Sequence, residues 1–151
     1  MFIVNAVTVA LSAAAQVADR QLTDAVAVGD KNRVILLLRN GVRPDDKSQL
    51  TAEGYTPLHI AVSESRPDLV ELLVRAGAKL ETRASNGRTA LHRAAHHGCI
   101  ECTRLLLEKG ADASAVDNDG KTPIDLALEH SYSVYALDPV IAVLQEFLEQ
   151  S

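Results

Sequence analysis

One hexapeptide, repeated at a fixed step, limits this chain more than anything else in it. Gly54-Tyr-Thr-Pro-Leu-His59 returns as Gly87-Arg-Thr-Ala-Leu-His92 and again as Gly120-Lys-Thr-Pro-Ile-Asp125. Thr56, Thr89 and Thr122 therefore stand 33 residues apart. A second series keeps the same step, with Leu72, Leu73 and Gly77 followed by Leu105, Leu106 and Gly110. A repeat of this length is one supersecondary unit, too small to bury its apolar face alone, so it must stack on copies of itself.

Each unit reads as a turn followed by two helices. Gly54, Gly87 and Gly120 suit a tight turn with positive φ. Thr56 and Thr122 precede Pro57 and Pro123, the order of an N-cap and a first helical residue. Leu58, Ala61 and Val62 form the inward face of a short first helix. Leu69, Val70, Leu72 and Leu73 recur at helical spacing in the second. Gly77 and Gly110 stand where helices end in a left-handed residue. Leu72, Leu73, Leu105 and Leu106 are expected in the core. Apolar residues make up 47% of the chain but aromatics only 3%, with no Trp. Small alanines at 61, 94 and 127 allow thin helices to approach closely.

These residues resemble the ankyrin repeat, whose pattern is Thr-Pro-Leu-His-x-Ala closed by Leu-Leu-x-x-Gly-Ala. The resemblance spans roughly residues 20–150. It implies an all-α ankyrin-repeat solenoid of stacked helix-turn-helix units with projecting β-turn fingers. It also implies a concave surface of fingers and first helices that grips a partner. Counting back from Gly41 exposes a degenerate first unit, Leu22–Gly41, without a finger. About four repeats result, including degenerate caps, at about 20–50, 51–83, 84–116 and 117–150. Residues 20–151 form the repeat domain, and 1–19 are a separate apolar segment.

Two insertions break the period. Gly41 to Thr56 is 15 residues where the later units have 12, so the first finger, 42–53, is longer. Pro67 and Pro139 lie 72 residues apart where two periods make 66, which places extra residues near 132–137. Tyr132 and Tyr135 in that stretch either touch a partner or cover the open end of the stack. In the last helix Val140, Ile141, Leu144, Phe147 and Leu148 form one stripe opposed by Gln145, Glu146, Glu149 and Gln150, the division expected of a terminal cap.

Met1–Ala15 reads in two ways. Its apolar run ending in three alanines has the form of a secretory signal, which implies a periplasmic or secreted protein, but it has no basic n-region. The alternative is a helix packed on the first repeat, in a protein that is cytoplasmic as the family mostly is. No run approaches the roughly 18 apolar residues that span a bilayer, so no stable membrane insertion is expected.

The charge is −5 and interspersed, without the basic stripe of a nucleic-acid binder. No phosphate loop, nucleophile elbow or cleft of paired carboxylates is present. Cys99 and Cys102 are too few for a disulfide scaffold, and Cys102 falls at a small buried position. His92 is the motif histidine. Asp117, Asp119 and Asp125 have some look of a calcium loop but belong to a finger turn, without the distal Glu. No catalytic, cofactor or metal residue is assigned, and the chain is read as non-enzymatic.

The family resemblance carries candidate contact positions by register. They are Glu53, Tyr55, Ser63 and Glu64 in the second unit; Ser85, Asn86, Arg88, His96 and His97 in the third; and Asn118, Asp119, Lys121, Glu129 and His130 in the fourth. Arg88 and Tyr55 lead, because Arg and Tyr are enriched at interface hot spots. Arg88, His96 and His97 are expected to share a cationic patch with Tyr55 and Lys121. The expected function is an adaptor that binds another protein and is monomeric alone. The alternatives are a dedicated inhibitor of one enzyme or toxin, or a secreted stress-related protein using Cys99 and Cys102.

Overall fold

A computed structural model describes residues 21–45, 53–130 and 138–150. The segment 1–19, Tyr132, Tyr135 and most of both insertions lie outside the described residues. Among the described residues eight helices follow one another: α1 (21–28), α2 (Lys31–Arg39), α3 (Pro57–Ser63), α4 (Pro67–Arg75), α5 (Ala90–His97), α6 (Ile100–Glu108), α7 (Pro123–His130) and α8 (Pro139–Glu149). Among the described residues there is no strand, and no helix is long and apolar enough to cross a membrane.

The helices pack in two rows. First helices meet one another, α3 against α5 and α5 against α7, while second helices form a row of α4, α6 and α8. Leu58, Ala61, Leu91, Ala94, Leu126 and Ala127 are buried on the first row, and Leu69, Leu73, Cys102, Leu106, Val140 and Leu144 on the second. Leu22, Ala25, Val26 and Val34 extend the core through the finger-less first pair. Leu72 and Leu105 are only half-buried, contrary to the sequence expectation. In each Leu-Leu pair the second residue points between the rows, and its neighbour, one helical step round, faces partly outward. Leu148 likewise turns outward at 41% exposure, while Val143 takes a buried place in α8.

Helix ends follow from local chemistry. Thr56 caps α3 reciprocally: its Oγ1 accepts from the His59 N–H, and its own N–H donates to His59 Nδ1. Pro67 and Pro139 open α4 and α8, and the Asp138 carboxylate caps α8 by accepting from the Val140 N–H. At the ends of α2, α4 and α6 the same two bonds recur. In α4 they run from Gly77 N to the Val74 carbonyl and from Ala78 N to the Leu73 carbonyl, a Schellman closure. The left-handed residue follows the cap itself, at Gly77 and Gly110 rather than at Ala76 and Lys109.

The finger glycines behave as their register requires, with φ of 69° at Gly54, 78° at Gly87 and 76° at Gly120. Gly87 is constrained twice. A Cβ there would stand 2.7 Å from the backbone nitrogen of Asn118 in the next finger.

Candidate partner-binding surface

The surface begins with a bridge that repeats. His59 Nδ1 accepts from the N–H of Thr56, so its Nε2 carries the hydrogen and donates to the carbonyl of Arg88 at 3.1 Å. His92 does the same between Thr89 and the carbonyl of Lys121, at 3.0 Å. Burial pushes the His92 pKa below the ordinary imidazole value, against the raising effect of the Lys121 carbonyl. Asp125 occupies the equivalent register in the fourth unit. It accepts from the N–H and hydroxyl of Thr122, and those bonds hold its carboxyl below the usual range.

The fingers are also stitched edge to edge. Ser85 N donates to the carbonyl of Glu53, and Asn118 N donates to that of Asn86. The Asn118 side chain donates to the Ser85 carbonyl, and Arg83 Nη1 reaches the carbonyls of Gly87 and Val116. Ser85 and Asn86 thus fix the fingers through their backbones and Asn118 through backbone and side chain, which leaves the exposed Ser85 side chain on the surface.

Two of the expected free cations are committed within the chain. Arg88 does not project: its Nε donates to Asp117 Oδ2 at 3.1 Å, with 18% of its side chain exposed and 1% of the aspartate's. Burial raises the Asp117 pKa, but hydrogen bonds from the Lys121 backbone, Arg88 and the Asp119 backbone outweigh it and hold the carboxyl low. Lys121 Nζ pairs with Glu129 at 2.5 Å, which raises the lysine pKa. The cationic patch expected around Arg88 and Lys121 is therefore corrected. Each charge meets a carboxylate, 29 residues on for Arg88 and two helical turns along for Lys121, that register alone did not place beside it.

The cation that Tyr55 does hold is Arg93. Its guanidinium lies over the Tyr55 ring, 4.5 Å from the centroid. Nε and Nη2 both donate to Ser63 Oγ, at 3.0 and 2.6 Å, and Nη1 reaches Tyr55 Oη at 3.4 Å. Ser63 donates its own hydrogen to the His59 carbonyl, which turns its lone pairs toward the arginine. Sequence reasoning missed Arg93 because it lies inside a motif read as core. The signal was available: Arg93 stands at the register of Ile60 and Leu126, where the other units are apolar.

Glu53, Glu64, Asp119 and Glu129 are exposed, and Glu64 caps the end of α3. His96 is half-buried and His97 exposed, their rings 5.1 Å apart. His130 closes α7. Cys99 and Cys102 are joined in a disulfide with Cα atoms 5.3 Å apart at the start of α6. Among the described residues, no cluster of three or more His, Cys, Asp or Glu is placed to hold a metal ion.

A family profile described as "Ankyrin repeats (3 copies)" matches residues 22–117 and 77–137. The chain belongs to the ankyrin-repeat family. Ankyrin repeats are protein-interaction modules and are generally non-catalytic. The 2-5A-dependent ribonuclease of Mus musculus is 42% identical over 69 residues, 46% of this chain. The match spans 9% of that relative's length.

Proposed function

We propose that this ankyrin array, residues 20–151, is a non-catalytic adaptor that holds another protein on the face made by its fingers and first helices. The observation that carries this reading is the stitching of that face. His59, His92, Ser85 and Asn118 tie each finger to the next, so the face is presented as one rigid surface. A pre-organised surface loses less entropy on binding than a mobile one. A dedicated inhibitor would use the same face, occluding an enzyme or toxin in place of recruiting it.

The test is co-purification from the native host with the intact chain as bait. The comparison bait carries Glu53→Arg, Glu64→Arg and Ser85→Arg, which change only exposed side chains. A partner retained by the natural chain and lost by the triple variant, with melting temperature unchanged, supports the reading. A partner held equally by both places recognition elsewhere and overturns it. Adding the partner's own activity assay separates adaptor from inhibitor.

A second reading rests on the Cys99–Cys102 disulfide, since such bonds persist chiefly in oxidising compartments. It favours a periplasmic or secreted protein from which 1–15 are removed. Intact mass of the host protein tests it: a chain retaining Met1–Ala15, or bearing two free thiols, would overturn it.

A further inference from the structure

Arg93 differs from Arg88 and Lys121 in what holds it. Those two pair with the carboxylates of Asp117 and Glu129. Among the described residues Arg93 has no carboxylate within 4.0 Å, although the chain carries 20 acidic residues. Its partners are the neutral oxygens of Ser63 and Tyr55 and the face of the Tyr55 ring. These fix the guanidinium plane without neutralising its charge. A guanidinium has five N–H donors, and those contacts use one hydrogen on each of its three nitrogens. One N–H on Nη1 and one on Nη2 are left to meet an anion, and a carboxylate is the anion that a guanidinium binds in a fork.

The position fits a contact point. Arg93 sits on α5, at the centre of the first-helix row, and is half-buried. Partial desolvation strengthens its attraction for an anion, and the aromatic stack removes rotamer freedom before binding. The surroundings also limit the anion. Glu53 and Glu64 are exposed on the finger and helix end that supply Tyr55 and Ser63. Like charges there disfavour a polyanion or a dianionic phosphate, and a single carboxylate is repelled least.

We propose that Arg93, held over Tyr55 by Ser63, is the anchor of the partner interface and forks one Asp or Glu side chain of the bound protein. This rests on the adaptor reading above and names the chemistry of its central contact. Tyr55 and Ser63 are positioning residues, since both act by orienting the guanidinium.

The experiment selects peptides from a random phage-displayed library on the intact chain, then measures the affinity of synthetic copies. Selected peptides should share one acidic residue. Replacing it by Asn or Gln should weaken binding about tenfold or more, the loss typical of an arginine hot spot. Arg93→Gln should abolish the preference for acid over amide, and Arg93→Lys should restore only part of it, because an ammonium cannot fork. Ser63→Ala and Tyr55→Phe should weaken the acidic peptide while leaving the amide peptide unchanged, which a loss of folding would not do. Peptides displaced by the Glu53, Glu64 and Ser85 triple variant but indifferent to Arg93→Gln would overturn the anchor and leave the adaptor reading standing. Peptides indifferent to both would overturn both. Tighter binding when phosphoserine replaces the acid would also overturn the assignment, in favour of phosphate.

Discussion

Arg88 and Asp117 join two fingers through one charged hydrogen bond, Nε to Oδ2 at 3.1 Å, with the aspartate side chain almost entirely enclosed. A residue expected from its register to face a partner is thus part of the framework. Arg88→Ala strips the buried carboxylate of its cation and should cost about 1–3 kcal/mol of stability. The double variant Arg88→Ala/Asp117→Asn should lose less than the sum of the single changes. Denaturant titration of the four proteins checks this, and an unchanged midpoint for Arg88→Ala would refute it.

Acid should weaken the stack in two stages. Burial holds His92 below its ordinary value of 6.5, so the unfolded chain takes up that proton first. Its contribution is complete above about 6.5 and is lost as pH falls through the lower folded value. Asp112, Asp117 and Asp125 are all held below 3.8, so their contribution is complete above that value and is lost only further down. The natural chain minus His92→Asn, measured as midpoint against pH, should isolate the first stage. A difference that stays flat from pH 8 to 5 would remove it.

The paired leucines of the second helices should separate by burial. Leu106→Ala empties a fully buried site and should cost about 2–5 kcal/mol. Leu105 is half-buried, and Leu105→Ala should cost about 1–2 kcal/mol. Equal losses in thermal or denaturant unfolding would contradict the orientation of α6.

Gly87 and Gly120 share a left-handed backbone, yet only at Gly87 would a Cβ strike the neighbouring finger. Gly120→Ala should show only the conformational penalty, about 1–2 kcal/mol. Gly87→Ala should exceed it, because Asn118 must also move. Comparable midpoints for the two variants would mean that the fingers are less closely joined than described.

Much of the fold was legible because its determinants are local and recur. Thr56, Pro57, Pro67, Gly77 and Gly87 each set a cap or turn within a few residues, and the shared period repeats the threonine and the turn glycine at 56, 89 and 122 and at 54, 87 and 120. Which member of a leucine pair enters the core was not legible, since Leu72 and Leu73 differ by a rotation that a doublet does not encode. The surface was harder still. Register put Tyr55, Ser63 and Arg88 near the fingers, but Arg88 meets Asp117 and Tyr55 meets Arg93 only through side-chain directions set by the next unit. A comparison of positions 60, 93 and 126 would have exposed Arg93, because one charged residue replaces two aliphatic ones there.

The histidine bridges also say how such a chain responds to tension. His59 is fastened to the carbonyl at 88 and His92 to the one at 121, each to the adjacent unit. Drawn apart from its ends, the array would meet these fastenings one after another, as a strip of adhesive peels along a moving front. A partner seated across the central finger would clamp two seams at once and halt that front midway.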